Sequence, residues 1–153
     1  MTKLDLKVPP ALVWIVFAGA IMVADGRWPE ARLPFPSHQL IACGLGLVGI
    51  FIVLTGVWTF RLAQTTVSPL ATAQPRAVVT RGIYKHTRNP MYLGMALCLA
   101  GVALWSAFLP GLVLVLLFCG YLTAFQIKPE ERMLLARFGP PYAAYLSRVR
   151  RWL

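Results

Sequence analysis

The side chains best able to do chemistry are concentrated in residues 76–94, a polar segment between two long apolar runs. It reads R-A-V-V-T-R-G-I-Y-K-H-T-R-N-P-M-Y-L-G and carries four Lys/Arg, one histidine and two tyrosines, Tyr84 and Tyr92. Two acidic residues, Glu130 and Glu131, follow at the end of the last apolar run. Cationic groups bind a carboxylate, a glutamate accepts hydrogen bonds from an amino group or ribose hydroxyls, and tyrosine faces attract a sulfonium. These residue types therefore suit a zwitterionic, aromatic, cationic ligand.

S-adenosylmethionine has all of these parts and is the predicted cofactor. Transfer of its activated methyl group needs alignment of the reactants and exclusion of water rather than a dedicated acid–base set. No serine–histidine–acid set, cysteine–histidine pair or carboxylate-rich metal cluster can be assembled from the sequence, which disfavours hydrolysis and metal chemistry. The cysteines Cys43, Cys98 and Cys119 fall inside apolar runs. They are interpreted as buried small hydrophobes, and no metal site is predicted.

The composition points to a bilayer as the solvent. Hydrophobic residues make up 58% of the 153 residues and charged residues only 13%, and the mean hydropathy is +0.67. A soluble chain of this length cannot hide so much apolar surface. The net charge of +10 is carried beside apolar runs, so anionic lipid headgroups are the expected partner and nucleic acid is not.

Four apolar runs are long enough, or nearly long enough, to span a membrane as helices: residues 8–24, 40–60, 91–109 and 111–127. Pro110-Gly111 separates the last two and predicts a helical hairpin near the C-terminus. The sequence therefore predicts an all-α polytopic membrane protein with about four transmembrane helices. The run G-L-G-L-V-G at residues 44–49 matches a dinucleotide-binding pattern. Because it lies inside an apolar helix, it is interpreted as a surface for close helix packing.

A short amphipathic C-terminal helix is predicted after the last span. Pro129 followed by acids is typical of a helix start, and Gly139-Pro140-Pro141 is expected to stop that helix. The whole chain, residues 1–153, is predicted to form one membrane-embedded domain. Residues 1–60 would supply an N-terminal helical pair, and residues 61–153 the cofactor-binding catalytic part.

Two motifs make residues 65–153 resemble the isoprenylcysteine carboxyl methyltransferases and their relatives among the phospholipid methyltransferases. The first is G-I-Y-K-H-T-R-N-P-M-Y-L-G. The second, one hydrophobic hairpin later, is P-E-E-x-x-L-x-x-x-F-G-x-x-Y-x-x-Y. The resemblance implies an integral-membrane methyltransferase that uses S-adenosylmethionine and acts on a lipophilic or small acceptor. It also implies the positions of the cofactor contacts, which are Arg76, Ala77, Val78, Val79, Tyr84, Asn89, Pro90, Met91, Tyr92 and Glu130.

Two positions depart from the prenylcysteine enzymes. Asn89 stands where a histidine usually precedes the proline. Gln126 stands where an arginine is thought to hold the substrate carboxylate, with Lys128 nearby. Asn89, Gln126 and Lys128 are therefore the candidates for a catalytic or substrate-contacting role, and prenylcysteine is a doubtful substrate. The resemblance favours Glu130 over Glu131 as the cofactor ligand.

A second hypothesis is a non-catalytic membrane protein whose basic loop binds anionic lipid or a partner. The arginines around Arg81 suit lipid headgroups as well as ligands, and Tyr84 and Tyr92 suit a membrane interface. A lipid-binding loop needs neither Tyr92 nor Glu130, whereas a methyltransferase does. The sequence leaves the oligomeric state open.

Charge placement predicts the orientation in the membrane. With four spans, the N-terminus, residues 61–90 and the C-terminal tail share one side and carry 13 of the 15 Lys/Arg. The positive-inside rule places that side in the cytosol. The expected location is a bacterial or archaeal-type inner membrane or an endomembrane, with the active face cytosolic.

We therefore expect both termini to be cytosolic. Cysteine labelling or reporter fusions at residues 2 and 153 measure this directly. Termini on opposite faces would mean that residues 8–24 do not cross the membrane.

Overall fold

The computed structural model of the chain describes residues 6–62 and 78–153. Their longer helices are α1 (Pro10–Arg27), α2 (His38–Leu62), α3 (Pro90–Trp105), α4 (Gly111–Leu122), α5 (Lys128–Phe138) and α6 (Pro140–Arg148), with 3₁₀ turns at Pro29–Ala31 and Gly82–Lys85. Within these two ranges the β-structure is a single isolated bridge, between Arg32 and Phe108. The all-α prediction is confirmed.

Three helical stretches are long and apolar enough to cross a membrane: Pro10–Arg27, His38–Leu62 and Gly111–Phe138. Their large apolar side chains are widely exposed, as lipid contact requires. The chain is therefore an integral membrane protein. The fourth predicted span is shorter than residues 91–109, because α3 has only 16 residues, or roughly 24 Å of helix.

Helix α3 ends early because the chain turns sharply after Ser106. Ala107 has a φ of 54°, outside the helical range, and its carbonyl accepts a hydrogen bond from the Leu33 N–H at 3.0 Å. The α1–α2 connection and the α3–α4 turn therefore meet at one end of the bundle. At the opposite end, Leu6 bonds Phe125 and Arg88 bonds Arg150, both through backbone groups. The residues just before α1 and those just after α6 consequently lie at that same end of the bundle.

Helices α2 and α3 cross in close contact at glycines. A Cβ atom on Gly49 would lie 2.6 Å from the Gly94 carbonyl oxygen, and one on Gly101 would lie 2.9 Å from that of Ala42. The packing role predicted for residues 44–49 thus holds at Gly49. It also holds for the Gly46 backbone, whose carbonyl accepts from the Cys98 thiol at 3.6 Å and whose nitrogen would lie 3.5 Å from a Cβ on Gly101. It is wrong for Gly44, where an added Cβ would meet nothing within 4 Å.

The three cysteines differ in burial, although all three are predicted to be buried. Cys98 and Cys119 are half-buried, but Cys43 is exposed on α2. The prediction of a buried thiol is therefore wrong for Cys43.

The last span does not end at Lys128. A π-helical turn, Thr123–Ile127, joins α4 to α5 without a break, so the predicted helix start at Pro129 is wrong. Proline lacks an N–H group and leaves the carbonyl four residues earlier without its helical partner. That carbonyl, on Phe125, instead accepts a hydrogen bond from the Leu6 N–H at 3.0 Å.

The C-terminal region is helical in two pieces. Gly139 has a φ of 58° and caps α5, which confirms the predicted stop. A second helix, α6, then begins at Pro140, since proline is tolerated in a first helical turn.

Candidate functional site

Three of the predicted site residues come together although they lie on separate elements. Tyr84 belongs to the 3₁₀ turn before α3, Tyr92 to the start of α3, and Glu130 to α5. The Tyr92 hydroxyl donates a hydrogen bond to Glu130 Oε2 at 3.5 Å. Burial raises the pKa of Tyr84, and the nearby Glu130 carboxylate raises it further. The site therefore contains a carboxylate that one tyrosine contacts and that lies near a second.

Tyr84 has a hydroxyl group that its neighbours do not satisfy. The residue is only 4% exposed, and its hydroxyl has no hydrogen-bond partner among the described residues. Leaving such a group buried and unpaired costs about 1–3 kcal/mol. Its ring packs edge-on against Phe60, with ring centroids 5.2 Å apart. The Tyr84 hydroxyl is thus available to a ligand.

The tyrosines around the site are neutral over the physiological pH range. Burial raises the pKa of Tyr145 to about 12, against a smaller opposing effect of Arg88. Burial also raises the pKa of Tyr142, with Glu131 as the next cause. Tyr145 uses its proton structurally, donating to the Tyr84 carbonyl at 2.8 Å. These side chains therefore act as hydrogen-bond donors and not as bases.

Glu131 has a different environment from its neighbour Glu130. Its two carboxylate oxygens accept hydrogen bonds from Arg151 at 3.0 and 2.8 Å. Oε1 also lies 3.1 Å from Arg88, and the Arg88 and Glu131 side chains are 13% and 15% exposed. Such a bidentate guanidinium–carboxylate pair fixes geometry as well as charge. Glu131 therefore ties the polar segment and the C-terminal residues to α5.

The C-terminal residues 149–152, termed the tail strap below, also hold the polar segment through their backbone. The Arg150 carbonyl accepts from the Arg88 N–H at 3.0 Å. The Arg151 carbonyl accepts from the Asn89 side-chain amide at 2.9 Å and from the Thr87 hydroxyl at 3.4 Å. The Asn89 side chain is thus fixed by the tail strap.

Other predicted residues are placed differently. Gln126 is fully buried, and its amide nitrogen donates to the Val8 carbonyl at 2.6 Å. Its Oε1 has no partner within the described ranges. Lys128 is exposed and is not brought together with Tyr92 and Glu130 by any contact in the described part of the chain.

The remaining predicted contacts flank the two tyrosines. Val79 and Pro90 are buried, and Val78 and Met91 are half-buried. Arg76 and Ala77 lie outside the described residues. The sequence did not predict the contacts made by Thr87, Arg151 and Trp152. The Trp152 indole donates a hydrogen bond to the Thr123 hydroxyl at 3.2 Å. The basic and aromatic tail signalled a membrane interface, but no spacing pattern pointed to these contacts.

Comparison with known proteins matches most of this chain to a family. The phospholipid methyltransferase family matches residues 38–140, which include the polar segment, Glu130 and Glu131. An uncharacterised protein of Haemophilus influenzae (strain Rd) is 38% identical over 63 residues, covering 41% of this chain and all of that protein. No solved structure is significantly similar to the chain.

Glu131→Gln should destabilise the fold, because it leaves the largely buried Arg88 guanidinium without its counter-charge. Breaking a buried ion pair costs roughly 3–5 kcal/mol of folding free energy. Because the Arg151 side chain is a third exposed, solvent screening reduces the expected loss to about 1–3 kcal/mol. Thermal unfolding in detergent measures the change. Arg32→Gln is the control, since the Arg32 side chain is 42% exposed. Losing its pair with Asp25, at the other end of the bundle, should lower the melting temperature less. Equal melting temperatures for wild type and Glu131→Gln would contradict the tail-strap role.

Proposed function

The chain belongs to the phospholipid methyltransferase family, and from this premise we propose that it transfers a methyl group from S-adenosylmethionine to a lipophilic or small acceptor within the bilayer. The observation that carries this proposal is the Tyr84–Tyr92–Glu130 group. It combines an unpartnered buried hydroxyl with a carboxylate held by another tyrosine.

The residues of this group fit the chemistry of the cofactor. S-adenosylmethionine supplies a methyl group on a positively charged sulfur, which makes it an activated donor. The Glu130 carboxylate has acceptor positions beyond the one used by Tyr92, so it can take an amino group or ribose hydroxyls. The faces of Tyr84 and Tyr92 attract a sulfonium cation. We assign the remaining contacts to the backbone of residues 76–79 and to the Asn89–Tyr92 turn.

In such a reaction the protein positions the reactants and shields them from water. Tyr84, Tyr92, Tyr142 and Tyr145 are buried, so the site offers a dry aromatic wall that excludes water. The tail strap holds Asn89 by its side chain and Arg88 by its backbone. A 1 Å displacement of aligned groups slows a reaction strongly. Catalysis would therefore depend on residues that never touch the methyl group.

The acceptor is proposed to enter from the membrane. The bundle is small, and its spans are apolar on their outer faces. A lateral opening between helices would admit a lipophilic molecule without passage through water. We place the active face in the cytosol on the distribution of Lys and Arg.

Glu130→Gln should weaken cofactor binding by roughly 1–3 kcal/mol, the range for a hydrogen bond to a charged group. Calorimetry with S-adenosylhomocysteine measures the loss.

Tyr84→Phe should also weaken binding, because it removes the unpartnered hydroxyl and leaves the ring. Tyr145→Phe is the matched comparison and should weaken binding less, since its hydroxyl bonds the Tyr84 carbonyl and would act on a ligand only through the position of Tyr84.

Glu131→Gln, measured below its melting temperature, should reduce the affinity for S-adenosylhomocysteine less than Glu130→Gln does. Unchanged affinity in both Glu130→Gln and Tyr84→Phe would reject this cofactor site and return Glu130 to a structural role.

Farnesylated cysteine should be methylated poorly in comparison with neutral, thiol-bearing or amine-bearing lipophilic acceptors. A carboxylate acceptor needs a fixed cation for orientation. However, Gln126 is neutral and bonded to Val8, and Lys128 is a mobile point charge without the planar fork of arginine. A tritiated methyl-transfer assay over prenylcysteines, amine lipids and small thiols tests this. Efficient methylation of farnesylcysteine that is lost in Lys128→Ala would contradict the prediction and give Lys128 the role of the missing arginine.

A further inference from the structure

A cavity separate from the candidate site opens between α1, α2 and α3. Its volume is about 470 Å³, and small or thiol-bearing residues, including Ala42, Gly46, Cys98 and Gly101, line its walls. This volume lies within the range of about 300–1,000 Å³ that is typical of ligand pockets. We call it the outer groove, because it lies at the end of the bundle formed by the α1–α2 connection and the α3–α4 turn.

The outer groove is on a different face of α3 from the candidate site. Gly101 follows Tyr92 by nine residues, which at 3.6 residues per turn places it roughly 180° around the helix and about 13 Å further along it. Tyr92 faces Glu130 of α5, whereas Gly101 faces Ala42 of α2. The two sites therefore do not share a wall on this helix.

The rim of the outer groove faces the hydrocarbon. Met22 and Trp105 both line it and are 67% and 55% exposed. The helices that form it are α1 and α2, both long enough to span, and the shorter apolar α3. An opening on this surface meets lipid chains rather than water.

One end of the outer groove is polar. Asp25 and Ser106 line it there. Arg32 donates to both Asp25 oxygens, at 2.6 and 2.9 Å. A carboxylate and a guanidinium thus stand side by side where the apolar walls end.

We propose that the outer groove binds one acyl chain of a zwitterionic phospholipid whose head group lies on the Asp25–Arg32 pair. The apolar walls match the chain. The adjacent charges complement a phosphate beside Arg32 and an ammonium group beside Asp25. An anionic lipid lacks the ammonium group and would place its net charge next to the Asp25 carboxylate. The chemistry therefore favours a zwitterionic head at this end, although most basic residues lie at the other.

The inference goes beyond the proposed function because the bound lipid is not the methyl acceptor. Its head group lies at the end of the bundle opposite to Glu130 and the tail strap. Phosphatidylcholine is consequently a suitable probe.

Gly46 allows a sharp test. An added Cβ there meets nothing within 4 Å, and the residue lines the outer groove. Gly44 is equally open and lies on the same helix, but it does not line the groove. Gly46→Leu should fill the groove and lower phosphatidylcholine retention, measured by native mass spectrometry, by roughly tenfold, equivalent to about 1.4 kcal/mol. Gly44→Leu should retain the lipid like wild type.

The head group is tested with phosphatidylglycerol. Wild type should retain it roughly tenfold less than phosphatidylcholine, again a difference of about 1.4 kcal/mol. The double variant Asp25→Asn/Arg32→Gln should lose most of this preference. Equal retention of the two lipids by wild type would overturn the proposed head-group contact.

Thiol labelling gives a second measurement that needs no variant. Phosphatidylcholine should slow alkylation of Cys43, at the groove, and leave Cys119, on α4, unaffected. Retention of phosphatidylcholine by Gly46→Leu at the wild-type level would overturn the proposal. A lipid-free dimer of the wild type that Gly46→Leu abolishes would also overturn it, because the groove would then bind a second copy of the chain. S-adenosylhomocysteine binding by Gly46→Leu reports on the fold and keeps this test separate from that of the methyltransferase activity.

Discussion

Neighbouring residues on an α-helix project about 100° apart, and this angle separates the roles of Glu130 and Glu131. Glu131 turns toward Arg88 and Arg151 and forms an ion pair with each. Glu130 turns toward Tyr92 and keeps most of its acceptor capacity. A single acid at this point could not hold the polar segment in place and also serve a ligand. The bundle therefore supplies a rigid helix on which one carboxylate stabilises the structure and the other remains for chemistry.

The backbone constraints of a membrane explain the irregular part of the last span. Pro129 cannot donate a hydrogen bond, and an unpaired carbonyl is costly in hydrocarbon. The π-helical turn Thr123–Ile127 shifts the pairing, and Leu6 then supplies the N–H that Phe125 requires. Gln126 adds a bond to Val8. The segment before α1 is thereby part of the last span's hydrogen bonding.

Composition and the length of the apolar runs were sufficient to predict the all-α membrane fold, because a bilayer permits few alternatives. The two motifs also predicted that Tyr84, Tyr92 and Glu130 belong to one functional region. The tail strap was not predictable, since it uses the carbonyls of Arg150 and Arg151, and every residue has a carbonyl. Nor did local sequence distinguish Gly49 from Gly44 and Gly46. All three lie in the same apolar run, and only the crossing angle of α2 and α3 decides which one contacts Gly94.

The position of the tail strap has a consequence for biosynthesis. Residues 149–152 follow α1 to α5 in the sequence, so they are translated after the spans that the structure describes. Until they leave the ribosome, Arg88 lacks the Arg150 carbonyl and Asn89 lacks the Arg151 carbonyl. Nascent chains therefore insert into the membrane with the polar segment not yet fastened. Membrane insertion of the described spans and fastening of the polar segment are therefore separate steps in time.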